Sequence, residues 1–392
     1  MISGADFIVF SDDWGRHPSS CQHIFKRLLK NQNWVTWVNT VGMRIPRLSR
    51  YDFERSLQKI YEWLNPRSSV DDSYENLNIV SPVMFPTYSN SFLSYINDIL
   101  IRRAVFNKIN KLQYDSPILV TTIPIIADLL GTLREKISIY YCVDEFSEWH
   151  GMNKETIKNM EEKLLRKVDL VIATSVELQQ RKSHGKKNVH YLPHGVDFDH
   201  FFMCRDIHNS YRDKLHRDDK HLTKIKRPCI GYFGLFDERI DQDILISIAE
   251  SIDCSILVVG KVDTSISQLS RHENIIFHGP VSYDSLPSVI KTMDILILPY
   301  KINQLTVNIN PLKMLEYIAT GKPIYCSPLP EAKKHGGIIN ICDGNMQFID
   351  KIRSNIKKIE YKKFGEVFQY LKDETWDKRA ETFSKMIQDA LI

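Results

Sequence analysis

A lysine and a glutamate three positions apart, Lys313 and Glu316, lie inside the run Asn308-Ile309-Asn310-Pro311-Leu312-Lys313-Met314-Leu315-Glu316-Tyr317-Ile318-Ala319-Thr320-Gly321-Lys322-Pro323-Ile324. On a helix that spacing sets both side chains on one face. The run also writes its own helix ends. Asn310 suits the N-cap, Pro311 the first helical position and Gly321 the stop, with Pro323 keeping the helix ended. A cation and a carboxylate near an open helix N-terminus make a place for an anion, phosphate above all. The same residues also suit a capped surface helix carrying an i,i+3 ion pair.

The neighbouring segments say where that helix must lie. Asp294-Ile295-Leu296-Ile297-Leu298-Pro299-Tyr300 before it and Ile324-Tyr325-Cys326-Ser327 after it read as buried parallel strands. The helix start is therefore expected beyond the carboxyl end of a strand, where open α/β sheets take ligands. The pattern "DILILPY … NPLKMLEYIATGKPIYCS" resembles the C-terminal domain of nucleotide-sugar glycosyltransferases of the two-Rossmann-domain (GT-B) type, close to family 4. The resemblance implies an α/β chain of two Rossmann-like domains facing a central cleft. It implies a hexosyl- or glycosyltransferase whose substrate is a UDP- or GDP-linked sugar, with no cofactor and no metal. In that family two glutamates eight positions apart flank this loop and helix; the second holds the ribose and the first touches the donor sugar. Glu316 matches the second. The first falls on Asn308, a departure that leaves retention and inversion both open.

Gly231-Tyr232-Phe233-Gly234-Leu235-Phe236-Asp237-Glu238-Arg239 follows the first strand of the second half. Glycine at a strand end permits close approach of a ligand to backbone, and arginine can meet a diphosphate with two parallel bonds. By the resemblance, Gly234 belongs to the donor site, Arg239 and Lys313 go to the diphosphate, and the helix start Asn310–Leu312 (Asn310, Pro311, Leu312) adds its dipole. Lys261, Pro280, Val281 and Tyr300, also at strand ends, are expected to line the nucleotide pocket. A plain turn with a solvated Asp-Glu-Arg cluster is the other reading of 231–239.

In the first half, Ser11-Asp12-Asp13-Trp14-Gly15-Arg16-His17-Pro18-Ser19-Ser20 joins a strand to a helix, with Pro18 near N1. "SDDWGRHPSS" with "WVNTVGMRIPR" resembles the subgroup that builds capsular, teichuronic or exopolysaccharides. Asp13, Gly15 and Arg16 are expected in a loop facing the cleft. Adjacent Asp12 and Asp13 lack the spacing of a metal-binding Asp-x-Asp, and two carboxylates alone are a weak metal signal. Tyr140-Tyr141-Cys142-Val143-Asp144-Glu145 ends a strand in two acids. If the reaction inverts, Asp144 is the expected base, with Glu145 and His17 in reserve. If it retains, Asp144 holds the acceptor; it also suits a turn cap. Tyr191-Leu192-Pro193-His194-Gly195-Val196-Asp197 resembles the family hinge, with His194 near the pocket.

The 392 residues are 43% hydrophobic and 26% charged, with a formal net charge of +4. That is ordinary globular composition, and the charge makes no case for nucleic acid as a partner. The seven cysteines are scattered, with Cys142, Cys229 and Cys326 in apolar runs, which argues for a reducing compartment. No apolar run nears the ~20 residues that cross a bilayer. The chain is expected to be cytoplasmic, peripheral at most on the cytoplasmic face of the inner membrane. Residues 91–112 mix Phe92, Tyr95, Ile96 and Ile99 with Arg102, Arg103, Lys108 and Lys111, which suits either a packed helix or an anionic membrane surface.

Apolar runs near 7–10, 34–38, 77–80, 118–121, 137–143, 170–173 and 189–192, then 229–233, 255–259, 275–277, 295–298 and 324–326, alternate with helical patterns, as βαβ units do. The expected division is 1–200 for an acceptor-binding domain, 201–227 for a linker and 228–374 for a nucleotide-sugar domain. Residues 375–392 form a last helix that packs back on the first. The expected reaction moves a sugar to a glycan or lipid-linked acceptor. A nucleotide-sugar epimerase on the same fold, or a non-catalytic sugar-nucleotide-binding subunit, are the alternatives.

Overall fold

The computed structural model describes residues 1–15, 18–39, 74–85, 90–184, 188–204 and 222–392. It divides into two compact units, one made of Met1–Pro193 with Trp376–Ile392, the other of His194–Thr375.

The first unit runs β1 (Asp6–Ser11), α1 (Ser20–Lys30), β2 (Trp34–Asn39), β3 (Leu77–Val80), α2 (Ser91–Lys111), β4 (Ile118–Thr121), β5 (Ile137–Cys142), α3 (Lys154–Lys167), β6 (Leu170–Ala173), α4 (Val176–Lys182) and β7 (Val189–Tyr191). Its sheet has the order β3-β2-β1-β4-β5-β6-β7, parallel throughout. Strands such as Leu170-Val171-Ile172-Ala173 are buried on both faces, which is why they read as unbroken apolar runs rather than alternating ones. α1 does not start at Pro18. Ser19 is the N-cap, its hydroxyl accepting from the Gln22 N–H, because a side-chain oxygen satisfies an orphan amide that proline cannot.

The second unit runs α5 (Phe198–Phe202), β8 (Cys229–Phe233), α6 (Gln242–Ser251), β9 (Ser255–Val259), β10 (Ile275–Gly279), α7 (Leu286–Ile290), β11 (Ile295–Leu298), α8 (Leu312–Ala319), β12 (Ile324–Cys326), α9 (Pro330–Lys333), β13 (Asn340–Ile341), α10 (Gly344–Asn355) and α11 (Phe364–Leu371). Its sheet order is β10-β9-β8-β11-β12-β13, again parallel. Two differences from the sequence reading stand out. Strand β13 carries too short an apolar run to announce itself. Residues 198–202, read as the approach to a linker, form helix α5 with Phe198 and Phe201 buried in the second unit's core.

The last helix, α12 (Trp376–Ala390), belongs to the first unit. Trp376 stacks on His23 of α1 at 4.6 Å, and the Phe383 ring meets Phe25 at 6.1 Å and Tyr141 at 5.8 Å. Trp376, Phe383 and Ile387 are buried, as their helical spacing requires; Leu391 lies past the helix end and is exposed. All seven cysteines are free and buried, and burial pushes the Cys142 and Cys229 thiols up to about 12. Among the described residues, no helix is long and apolar enough to cross a membrane.

Candidate functional site

In the second sheet the strand order reverses between β8 and β11. The connections leaving their carboxyl ends therefore turn to opposite sides of the sheet, and such switch points are where open α/β sheets hold ligands. Gly234 follows β8 with φ +124°. That backbone favours glycine, and a Cβ there would lie 1.9 Å from Cε of Lys313, so the end of that lysine side chain would have to move aside. Gly260, after β9, has φ +137° and packs so closely that its Cβ would meet the Gly234 carbonyl oxygen at 2.1 Å.

Lys313 extends from the first turn of α8 toward this strand end. Its ammonium donates to the Tyr232 hydroxyl at 2.6 Å and stands 4.6 Å from the centre of that ring and 5.9 Å from that of Tyr300. The Tyr232 hydroxyl donates in turn to the Leu235 carbonyl at 2.6 Å. Burial, with the Arg239 cation nearby, pushes Lys313 down to about 7. Glu316, one turn on, is half-buried. Burial pushes its carboxyl up to about 7 against the pull of Lys313, and Asp197 adds to the rise. The pair is thus poised to change charge near neutrality, the state expected of groups that wait for a charged ligand.

The start of α8 corrects the sequence reading. Pro311, not Asn310, is the N-cap (φ −68°, ψ 116°), with no side-chain cap bond, and Leu312 is the first helical residue. In the first turn the Met314 N–H already donates to the Pro311 carbonyl at 2.9 Å, so the amides left over at this helix start are those before it. The far end is as expected: Gly321 takes φ +66° directly after Thr320.

Arg239 reaches this neighbourhood but is held by a carboxylate. Its Nε donates to both oxygens of Asp237 at 3.0 Å, and Nη2 donates to Oδ2 at 2.7 Å. Its carbonyl accepts from the Lys301 N–H at 2.8 Å, which ties the loop after β8 to the loop after β11. Tyr300 is buried, and its phenol is pushed up to about 12. Lys261 is exposed and pairs with Asp263 at 3.4 Å. Pro280 is exposed, whereas Val281 packs against the core. Asn308, where the resemblance has an acid, is buried, and its amide donates to the Gln304 carbonyl to close the turn before α8.

His194 is buried at the start of the second unit. Asp197, three residues on, accepts from the Tyr283 hydroxyl at 3.2 Å and acts electrostatically on Glu316. Sequence reasoning took Gly195-Val196-Asp197 as architecture and missed this acid. The signal was there: an aspartate directly before the Phe198–Phe202 pattern that packs α5 beside α8.

In the first unit the order reverses between β1 and β4, and the loop 11–15 lies at that switch. Asp12 is its brace. Its carboxylate accepts from Ser11 Oγ (2.8 Å), Ser19 Oγ (2.9 Å) and Gln22 Nε2 (2.6 Å), and its carbonyl from Trp37 Nε1 (2.8 Å). Gly15 takes φ +76° and donates to Gln22 Oε1; the Asp13 carbonyl accepts from Gln22 Nε2 at 3.2 Å. Arg16 and His17 lie outside the described residues.

Asp144 follows β5, and its Oδ1 accepts from the Glu145 N–H at 2.9 Å, so it orients the turn beneath it. Glu145 is not placed as a reserve base. Its carboxylate accepts from the Lys182 ammonium (2.8 Å) and Ser147 Oγ (2.8 Å), and Lys182 also meets Glu161 at 2.6 Å, all four side chains buried. Burial would raise Glu145, but Lys182 outweighs it and holds the carboxyl below its usual range.

Two parallel-sheet units, with the last helix returned to the first, make this the GT-B glycosyltransferase fold, and solved structures share it over nearly the whole chain. Sucrose-phosphate synthase from Thermosynechococcus elongatus matches with a TM-score of 0.69 at 14% identity, covering 98% of both chains. Anabaena Alr3699/HepE, solved with UDP and glucose, matches at 0.64 and 13% identity, covering 97% of this chain and 99% of that one. An Escherichia coli trehalose-6-phosphate structure bound with UDP-2-fluoro glucose matches at 0.61 and 11% identity, covering 99% of both. Residues 227–358, wholly inside the second unit, match the family model described as Glycosyl transferases group 1. A Bacillus subtilis (strain 168) protein, provisionally named teichuronic acid biosynthesis glycosyltransferase TuaH, is 26% identical over 190 residues, 46% of each chain. The chain spans about half the length of that curated relative.

Proposed function

We propose that this protein transfers a sugar from a nucleoside-diphosphate donor to a glycan or lipid-linked acceptor in surface-polysaccharide biosynthesis, at the cytoplasmic face of a membrane and without a metal ion. The observation that carries the reading is the Lys313–Glu316 pair. It stands at the carboxyl ends of β8 and β11, inside the segment that matches the group 1 family. Lys313 meets the diphosphate as a cation. Arg239 joins it by exchanging part of its Asp237 contact for phosphate oxygens, and the first-turn amides of α8 add their dipole. Negative charge grows on the diphosphate as the sugar departs, so groups fixed in advance around it stabilise the transition state more than the bound donor. Glu316 accepts from a ribose hydroxyl. Asp144 takes the acceptor's proton if the anomeric centre inverts and holds the hydroxyl if it does not.

The supporting precedent is the pair of solved neighbours with UDP or a UDP-sugar analogue. The test is thermal: UDP- and GDP-sugars are added to the purified protein and melting is followed. A donor at 100 times its dissociation constant adds about 2.7 kcal/mol of stability. A flat response to every nucleoside diphosphate and nucleotide sugar would refute the reading. Slow release of free sugar from the effective donor, without acceptor, would distinguish a transferase from a binding protein.

A further inference from the structure

Helix α2 is apolar on two opposite sides. Asn97, Ile101, Val105 and Ile109 recur every four residues and are buried against the first unit. At 100° per residue, Phe92, Tyr95 and Ile99 fall on the opposite side. They are 68%, 64% and 48% exposed, high values for three large apolar side chains in successive turns of one helix. The same outward azimuth continues into Arg102 and Arg103, both exposed. Beyond them the exposed Arg134 guanidinium lies 4.8 Å over the Phe106 ring and bonds the Asn110 amide, covering the outward face of the last turns. The outward face is therefore apolar in its first half and arginine-rich in its second, over about 16 Å from Phe92 to Arg103. Asp98, the helix's one acid, turns toward the packed side, half-buried and acting on Asp128, Lys163 and Lys167.

A second element is fixed beside it. The buried Asn97 amide accepts from the Phe85 N–H at 2.6 Å and donates to the Phe85 carbonyl at 3.0 Å. That double bond clamps an extended segment in which Met84 points in while Val83 and Phe85 point out, 51% and 45% exposed.

We propose that the outward face of α2 is a docking surface for an anionic lipid bilayer. Phe92, Tyr95 and Ile99 would enter the boundary between headgroups and acyl chains, while Arg102, Arg103 and Arg134 meet lipid phosphates. Apolar side chains alone would suit many partners. The arginines on the same azimuth, with the acid turned away, select a surface that is oily and negatively charged together. The proposal rests on the transferase reading only in that a lipid-linked acceptor would place the enzyme at such a surface.

The test is co-sedimentation of the full chain with vesicles of phosphatidylcholine alone or mixed with phosphatidylglycerol, beside melting curves and UDP binding. Wild type should sediment with the anionic vesicles and release as salt rises. Arg102→Gln with Arg103→Gln should weaken binding about 30-fold. Phe92→Ser, Tyr95→Ser and Ile99→Ser together should abolish it, with melting temperature and UDP binding unchanged. Three results would overturn the proposal: no binding of wild type to anionic vesicles, full binding by the triple variant, or a marked drop in its melting temperature, which would mean that the chain packs on this face itself. A dimer in wild type that the triple variant breaks would also overturn it, by assigning the face to a second copy. A wild type that binds UDP but no vesicles defeats the surface and spares the transferase reading; one that binds anionic vesicles but no UDP defeats only the latter.

Discussion

At the scale of single residues, the proposed donor site is a problem of two charges partly removed from water. In the free protein Lys313 and Glu316 both titrate near 7. A bound diphosphate favours the ammonium, so the Lys313 contribution is full below its free value and declines as pH rises through it. A ribose hydroxyl favours the carboxylate, so the Glu316 contribution is present above its free value and is lost as pH falls through it. Affinity for UDP should therefore pass through a maximum near neutrality. Lys313→Met should leave only the rising limb and Glu316→Gln only the falling one, each weakening binding by roughly 1.5–3 kcal/mol. Calorimetric titrations between about pH 6 and pH 8 decide this, and a profile unchanged in both variants would remove the pair from the site. Asp144 is a separate case, because it stands in the other unit. Asp144→Asn should lower turnover by about 10²–10⁴ if it is a base, with UDP affinity unchanged. Turnover within a few-fold of wild type would leave it only the turn-orienting bond to the Glu145 amide, and NMR of the product anomer would show whether a base is required.

At the scale of elements, the telling piece is α12, which follows the second unit in sequence and completes the first. Phe383 is fully buried between the rings of Phe25 and Tyr141, and Trp376 covers His23. Phe383→Ala should cost the first unit about 3–5 kcal/mol. Urea unfolding followed by tryptophan fluorescence would register this as a lower midpoint. An unchanged midpoint would mean that α12 only rests on the unit. The Glu145–Lys182–Glu161 cluster joins the turn after β5 to α3 and α4 through buried charges.

At the scale of the whole molecule, the fold repeats one device twice: a parallel sheet whose order reverses beside its first strand. In the second unit, on the proposed function, the charge needed at that reversal comes from side chains and a helix start. Transfer should therefore persist in excess EDTA, at a rate within about two-fold of the untreated enzyme, if these groups supply the several kcal/mol that a metal ion would otherwise give. Complete loss on chelation, restored by Mg²⁺ or Mn²⁺, would contradict it.

Most strand positions were legible in the chain itself, because a strand buried on both faces must be an unbroken apolar run, as at 118–121, 170–173, 229–233 and 324–326. The helix stop at Gly321 was legible for a similar reason, since a left-handed residue after a helix is most easily glycine. Where the requirement is shared among several residue types, the chain was silent or misleading. Asn310 and Pro18 looked like helix-start residues, but the caps fell on Pro311 and Ser19. Asp197 looked like part of a hinge, and only the packing of α5 beside α8 brings it to Glu316. Asp237 and Arg239 are two residues apart in any conformation, yet their mutual pairing depends on how the loop after β8 closes. Glu145 beside Asp144 promised a second acid at one strand end, and the partner that claims it, Lys182, is 37 positions away. Sequence alone determined what repeats locally, burial period and backbone stops. The fold decided which charges meet, because that depends on contacts between residues far apart in the chain.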